Sequence, residues 1–130
     1  MAIKQILMID DERDIQTIAR IGLSLMSGWE VLTANSGKEG IQRAKEQVKA
    51  HMLDAILLDV MMPDMDGVAT LKVLKSDLVT QAIPVIFLTA KSRAVNRKQL
   101  YELGAQGVIH KPFDPTTLAS QISGFLGWAT

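Results

Sequence analysis

Five short apolar runs alternate with five amphipathic segments along this chain, and that alternation constrains the fold more than any other feature. The runs are rich in Ile, Val and Leu, as strands buried on both faces of a sheet are. They are Ile3–Ile9, Val31–Thr33, Ala55–Leu58, Pro84–Leu88 and Gly107–Ile109. Strict alternation with short connections predicts a parallel sheet that is covered by helices on both faces.

The segments between the runs carry apolar residues at helical spacing. The residues that repeat at helical spacing are Ile15, Ile18, Ala19, Gly22 and Met26, then Ile41, Ala44 and Val48, then Val68, Leu71, Leu74 and Leu78, and finally Leu118, Ile122, Phe125 and Leu126, which are expected to give the last helix its buried face. Ser36-Gly37-Lys38-Glu39 predicts a capping box at the second helix. Asp114-Pro115 predicts an N-cap followed by Pro at the first position of the fifth helix. A weaker fourth helix is expected from Val95 to Leu103, ended by Gly104.

A parallel sheet of this kind is doubly wound, and its first strand is best placed centrally. The expected fold is therefore an α/β, flavodoxin-like (βα)5 sheet of five strands in the order 2-1-3-4-5. The 130 residues suit one domain, so we expect a single domain over residues 1–130 with no output domain. Ligands of such sheets bind beyond the carboxyl ends of the strands, at the switch point between strands 1 and 3.

Composition argues against several classes of function. Lys plus Arg and Asp plus Glu number 14 each, so we expect no general affinity for nucleic acid or anionic membrane. Cysteine is absent, which excludes disulfides, thiolate catalysis and cysteine metal sites. No apolar run approaches the roughly 18 residues of a membrane span, and the N-terminal MAIKQILMID is too short for a signal peptide. We expect a cytoplasmic protein.

Chemically useful side chains lie at the carboxyl ends of four predicted strands. Asp10-Asp11-Glu12 end the first strand, Asp59 the third, Thr89 the fourth and Lys111 the fifth. Two carboxylates about 5 Å apart repel by roughly 3 kcal/mol at an effective dielectric constant of about 20, so crowded acids favour a bound cation. Oxygen ligands without His or Cys suit a hard ion, and a site with room for water and phosphate suits Mg²⁺.

A carboxylate in such a site can attack phosphorus to form an acyl phosphate, and Asp59 is the candidate nucleophile. The reaction needs mainly positioning and charge neutralisation. Lys111 would supply a compact positive charge, and the Thr89 hydroxyl would contact another phosphoryl oxygen. Each residue has a plainer interpretation when taken alone. Asp10 or Asp11 would cap the next helix, Asp59 would end a strand at a turn, Thr89 is a common strand-end residue, and Lys111 would be a solvated charge.

The ordered set resembles the receiver domains of two-component response regulators. The matching residues are Asp10-Asp11, Asp59 within LLDVMMPDMDG, Thr89-Ala90 and Lys111-Pro112-Phe113, and the resemblance covers essentially the whole chain. It implies that Asp59 is the phosphoacceptor and that Thr89 and Lys111 contact the phosphoryl group. It also implies a regulatory protein that assists its own phosphorylation and is not an enzyme acting on other molecules.

The resemblance further implies a ligand set and partners. Asp11, Asp59 and the backbone carbonyl of Met61 would bind Mg²⁺ directly, Asp10 would act through water, and the Lys111–Pro112 peptide bond would be cis. The phosphoryl group would come from a histidine kinase or a histidine phosphotransfer protein. A downstream protein would bind the face formed by the fourth helix, the fifth strand and the fifth helix.

One position departs from the family. Receivers commonly carry Tyr or Phe three residues before the Lys, where the ring changes orientation on phosphorylation, and Val108 stands there in this chain. A β-branched side chain has few rotamers. The space that a ring would fill must be filled by neighbouring side chains or be closed already. We therefore expect the effect of Thr89 at the partner face to be small, or to be carried by backbone shifts in the Lys91–Asn96 loop.

Three other functions compete with this interpretation. A haloacid-dehalogenase-type phosphatase also uses an Asp nucleophile, but Met61 stands where its second Asp would be. A flavodoxin-type FMN site needs a first loop that binds phosphate, which the acids of Asp10–Asp14 would repel. A receiver-like interaction module that is never phosphorylated would need no acidic pocket, and it is the main alternative function.

Overall fold

The computed structural model describes residues 3–50, 53–90 and 97–128 and contains five strands that alternate with five helices. The elements are β1 (Gln5–Ile9), α1 (Arg13–Ser27), β2 (Glu30–Ala34), α2 (Gly37–Lys49), β3 (Ala55–Asp59), α3 (Gly67–Ser76), β4 (Val85–Ala90), α4 (Arg97–Glu102), β5 (Gly107–Lys111) and α5 (Leu118–Leu126). All neighbouring strands are parallel and their order is β2-β1-β3-β4-β5. The predicted fold and strand order are confirmed.

Each strand contributes buried side chains to both faces of the sheet, because successive side chains of a strand point to opposite sides. Leu7 and Ile56 belong to the cluster that packs under α2, α3 and α4. Met8 and Leu57, their neighbours in the chain, belong to the cluster under α1 and α5. Within the described residues, no helix is long and apolar enough to cross a membrane.

The three strands that carry Asp59, Thr89 and Lys111 run further than their apolar runs predict. β3 ends at Asp59, β4 at Ala90 and β5 at Lys111, because polar residues at the end of a strand still pair through their backbone. The first strand is shorter than predicted: it begins at Gln5, and Ile3 is 71% exposed. The functional candidates at these ends are therefore held by the sheet itself rather than by the loops that follow it.

Two helix boundaries differ from the predicted ones. Leu78 does not belong to the buried stripe of α3, because the helix ends at Ser76, Asp77 is extended and the Leu78 side chain is 85% exposed. α5 begins at Leu118 rather than after Asp114, whose carboxylate accepts hydrogen bonds from the backbone and hydroxyl of Thr116 in a preceding turn. The predicted start of the fourth helix at Val95 lies outside the described residues.

The capping box at α2 is confirmed in one half. The Ser36 hydroxyl accepts a hydrogen bond from the Glu39 backbone N–H at 3.1 Å. The Glu39 carboxylate accepts from the backbone N–H of Asn35 at 3.3 Å, one residue before the expected donor. These bonds fix the turn between β2 and α2, because one satisfies an unpaired N–H of the first helical turn and the other ties Asn35 to the helix.

Gly67 brings the start of α3 into direct contact with the end of β3. Its backbone N–H donates to the carbonyl of Val60 at 2.8 Å. A Cβ at this position would collide with the carbonyl oxygen of Asp59 and would lie 2.8 Å from the Cα of Val60. Only glycine allows this approach, so Gly67 helps to set the backbone that carries Asp59.

Gly67→Ala is expected to lower the free energy of unfolding by about 1–3 kcal/mol, the usual cost of overpacking. The control is Gly124→Ala in α5, where an added Cβ meets nothing within 4 Å and should stabilise the helix by about 0.5–1 kcal/mol. Urea unfolding measures both variants. Equal midpoints for the two would contradict the close approach of α3 to β3.

Candidate functional site

Four carboxylates meet at the carboxyl edge of the sheet, where β1 and β3 lie side by side. Asp10, Asp11 and Glu12 follow β1, and Asp59 is the last residue of β3. Each offers an oxygen that lies within 4.8 Å of the others. Asp10 is fully buried and Asp59 is 3% exposed, whereas Asp11 and Glu12 are exposed. This acidic cluster (Asp10, Asp11, Glu12 and Asp59) occupies the switch point at which such sheets bind ligands.

The ammonium group of Lys111 reaches into the acidic cluster from the end of β5. Its Nζ lies 2.8 Å from Asp10 Oδ2, 3.3 Å from Asp59 Oδ1 and 3.6 Å from Glu12 Oε1. The Lys111 side chain is 10% exposed, so these ion pairs are weakly screened by solvent. The Lys111–Pro112 peptide bond is cis, as the resemblance implies.

The two buried carboxylates differ in how fully their oxygens are bonded. Asp10 accepts from the backbone N–H of Glu12 at 2.9 Å through Oδ1 and from Lys111 through Oδ2. Asp59 Oδ1 accepts a long 3.4 Å hydrogen bond from the backbone N–H of Met61. Asp59 Oδ2 is buried without a hydrogen-bond partner among the described residues. A buried polar atom without a partner is costly, so this oxygen favours a ligand that can bond to it.

The electrostatics of the site show a shortage of positive charge. Burial, and then repulsion by Asp10, raise the pKa of Asp59 from 3.8 to about 6, although Lys111 opposes the shift. Burial also raises the pKa of Asp10, against its hydrogen bond with Lys111. The pKa of Lys111 is raised: burial opposes this, but the hydrogen bond and the charges of its acidic neighbours outweigh it. Ionising both buried acids is therefore unfavourable until further positive charge arrives.

Thr89 and Met61 lie beside the acidic cluster without strong contacts. Thr89 is 3% exposed, and among the described residues its hydroxyl makes one contact, a 3.5 Å hydrogen bond to the carbonyl of Ala90. A hydroxyl held this loosely can turn to a better acceptor. The Met61 side chain is about half exposed. The Lys91–Asn96 loop, expected to carry the coupling, lies outside the described residues.

Val108, at the position of the family's aromatic residue, is almost fully buried in the cluster under α4. It is the register partner of Phe87 on β4, and Leu100 of α4 belongs to the same cluster. Val108 thus lies next to an aromatic residue of the neighbouring strand, in a buried cluster that also includes a leucine of α4.

Sequence reasoning assigned no role to two residues at this edge. Glu12 is the fourth acid of the cluster, and its position directly after Asp10-Asp11 was an available signal. Gln16 is buried where α1 meets the ends of β1 and β2. The signal for Gln16 was its position: it is a polar residue on the buried side of an amphipathic helix, one turn before Ala19.

The profile of the response regulator receiver domain family matches residues 6–123. The chain belongs to this family. Two relatives are transcriptional regulatory proteins: PhoP of Bacillus subtilis, for alkaline phosphatase synthesis, and PhoB of Pseudomonas aeruginosa, of the phosphate regulon. They are 34% and 38% identical over 123 residues, which cover 95% of this chain and 48% and 52% of those proteins. The receiver domain thus spans about half the length of the curated relatives it matches.

Solved structures give the same family and fold. Chemotaxis protein CheY4 of Vibrio cholerae is 28% identical with a TM-score of 0.79, over 95% of this chain and 99% of that one. A response regulator receiver domain protein from Clostridium thermocellum is 30% identical with a TM-score of 0.82, over 96% and 95% of the two chains. This receiver domain is therefore homologous to two-component response regulators and to chemotaxis proteins of the same fold.

In the metal-free receiver domain, Asp59→Asn is expected to raise the free energy of unfolding at pH 8 by about 3 kcal/mol, at about 1.4 kcal/mol per pKa unit. The folded pKa of Asp59, about 6, exceeds its ordinary 3.8. The stability that Asp59 contributes is therefore full below pH 3.8 and is lost as the pH rises through 6.

Urea unfolding with a chelator, from pH 4 to pH 8, measures this effect. The gain of Asp59→Asn over wild type should shrink towards zero near pH 4. Asp114→Asn is the control, because hydrogen bonds from Thr116 lower the pKa of Asp114, so removing that charge should give no gain at pH 8. An Asp59→Asn variant no more stable than wild type at pH 8 would contradict the raised pKa.

Proposed function

We propose that this receiver domain accepts a phosphoryl group on Asp59 in a Mg²⁺-dependent reaction, and that phosphorylation changes its binding to another protein. The observation that carries the proposal is the buried Asp59 oxygen that has no partner in the described part of the chain, beside three further acids and Lys111. An oxygen in this state is available to form a new bond. The family to which the chain belongs supports the same reaction.

The residues at the site fit a bound magnesium ion. The donor set contains only oxygen, which a hard cation prefers. Burial and then repulsion by Asp10 raise the pKa of Asp59, and a cation would offset both because it favours the ionised carboxylate. Asp11 and Asp59 would hold the ion through carboxylate oxygens, together with the backbone carbonyl of Met61, and Asp10 would act through water. When bound, Mg²⁺ would neutralise charge on the carboxylates and on the phosphoryl oxygens.

Three side chains perform the remaining work. Asp59, which ionises near pH 6, is mostly the carboxylate at neutral pH; it attacks phosphorus, and the bond from phosphorus to the donor breaks as the acyl phosphate forms. Lys111 already lies 3.3 Å from Asp59 and contacts a phosphoryl oxygen with its fixed positive charge. Thr89, whose hydroxyl has only a weak contact among described residues, turns to donate to another phosphoryl oxygen.

The donor is a histidine kinase or a histidine phosphotransfer protein, and the phosphorylated domain acts on a protein target in the cytoplasm. The family supports this pairing, and the zero net charge speaks against direct binding of nucleic acid by this chain. The target binds the face formed by α4, β5 and α5. Val108 is buried beneath that face in the cluster that contains Phe87 and Leu100. Phosphorylation therefore changes the face only through small shifts, and the coupling free energy between phosphorylation and target binding is about 1 kcal/mol.

Incubation with a small-molecule phosphodonor and MgCl2 is expected to add the mass of one phosphoryl group to the intact protein. Asp59→Asn should abolish the addition, because the amide lacks the nucleophilic oxygen. Electrospray mass spectrometry under neutral conditions measures it. Labelling that persists in Asp59→Asn would refute the assignment, and an unlabelled wild-type protein would favour the alternative of an interaction module that is not phosphorylated.

Asp11→Asn should slow the same reaction at least tenfold at sub-saturating MgCl2, because a neutral ligand binds a divalent cation less tightly. Asp14→Asn is the matched control: it removes an exposed acid three residues away that lies outside the acidic cluster. It should react at the wild-type rate. Equal rates for Asp11→Asn and wild type would remove Asp11 from the metal site.

A further inference from the structure

The Gln16 side chain joins α1 to the ends of two strands. Its Nε2 donates to the backbone carbonyl of Asp10 at 2.6 Å and to Asn35 Oδ1 at 2.9 Å, and it lies 3.4 Å from the carbonyl of Ala34. Three acceptor oxygens face one amide group, which fixes the amide with its nitrogen towards them. Gln16 is 8% exposed, so water does not replace these bonds readily.

The residues that Gln16 contacts at the end of β2 are held by further hydrogen bonds. Asn35 follows β2 directly, and its backbone N–H is held by the Glu39 carboxylate of the α2 cap. The Ala34 carbonyl also accepts from the backbone N–H of Asp10 at 3.1 Å. Gln16 therefore connects the turn after β1 to a capped helix start that is itself fixed by hydrogen bonds.

The turn after β1, which Gln16 contacts through the Asp10 carbonyl, contains Asp11. Both carboxylate oxygens of Asp10 are bonded, to the backbone of Glu12 and to Lys111. The exposed Asp11 side chain, in contrast, makes no hydrogen bond within the described residues, so the backbone of the turn alone sets its position. The carbonyl that Gln16 binds belongs to the peptide unit between Asp10 and Asp11.

We propose that Gln16 is a positioning residue for the magnesium site: its amide holds the peptide between Asp10 and Asp11 so that both carboxylates face Asp59. The proposal rests on the proposed function, since it adds a residue that orients the ligands of the same magnesium site. Groups that orient a metal ligand through a hydrogen bond affect metal affinity strongly. Without the amide donor, the buried carbonyl of Asp10 loses its partner, and the turn relaxes towards water.

The test compares Gln16→Met, which has similar length and no donor, with wild type and with Thr17→Val. The Thr17 hydroxyl donates to the Arg13 carbonyl at 3.0 Å on the exposed side of the same helix, so its loss leaves the turn intact. Titration of MgCl2 at constant ionic strength, followed by amide NMR shifts, gives the dissociation constant. Urea unfolding of the metal-free proteins gives stability, and phosphodonor reaction rates are taken at low and at saturating MgCl2.

The expected result for Gln16→Met is a dissociation constant for Mg²⁺ raised about tenfold, with a phosphorylation rate at saturating MgCl2 within about twofold of wild type. Thr17→Val should leave the constant unchanged. If Gln16→Met loses stability but binds Mg²⁺ as wild type does, Gln16 only supports the fold and the proposal is wrong. If Gln16→Met does not fold, Asn35→Ala decides: a dissociation constant raised two- to threefold supports the link, and an unchanged one overturns it. A wild-type protein that binds no Mg²⁺ would instead refute the proposed function.

Discussion

The repulsion among carboxylates at one end of the sheet is the constraint on which the rest of this structure depends. Asp10 and Asp59 are buried side by side, and the nearby acids Asp11 and Glu12 add to their charge. Lys111 contacts three of the four, but burial, together with repulsion by Asp10, still raises the pKa of Asp59 to about 6. The fold holds these groups in an arrangement that is unfavourable by itself and that a bound cation would stabilise.

The surrounding structure opposes that repulsion with a rigid frame. Asp59 and Lys111 are the last residues of β3 and β5, which both pair with β4, so the sheet fixes their backbones. Gly67 lets α3 touch the backbone that carries Asp59, and Gln16 ties the turn after β1 to the capped start of α2. A site held in this way keeps its charges together without a bound ion, which is the condition for binding a cation and a phosphoryl group at one place.

Much of this arrangement was predictable, because it follows from periodicity and from the ends of strands. The apolar runs gave the parallel sheet and its order, and that order brings Asp10, Asp59 and Lys111 to one edge. What depends on three-dimensional contacts was not predictable. Leu78 fits the apolar stripe of α3, yet the helix ends before it. Gln16 carries no motif, because its hydrogen bonds join residues that are distant in the chain.

The most direct test of the account is the titration of the Asp59 side-chain carboxyl carbon by NMR, with and without Mg²⁺. In metal-free protein the midpoint should lie near pH 6. Saturating MgCl2 should move it down by at least one pH unit, because a bound cation favours the ionised carboxylate. A midpoint near the ordinary value of 3.8 in metal-free protein, unchanged by Mg²⁺, would contradict the claim that crowded, buried acids prepare this edge of the sheet for a cation.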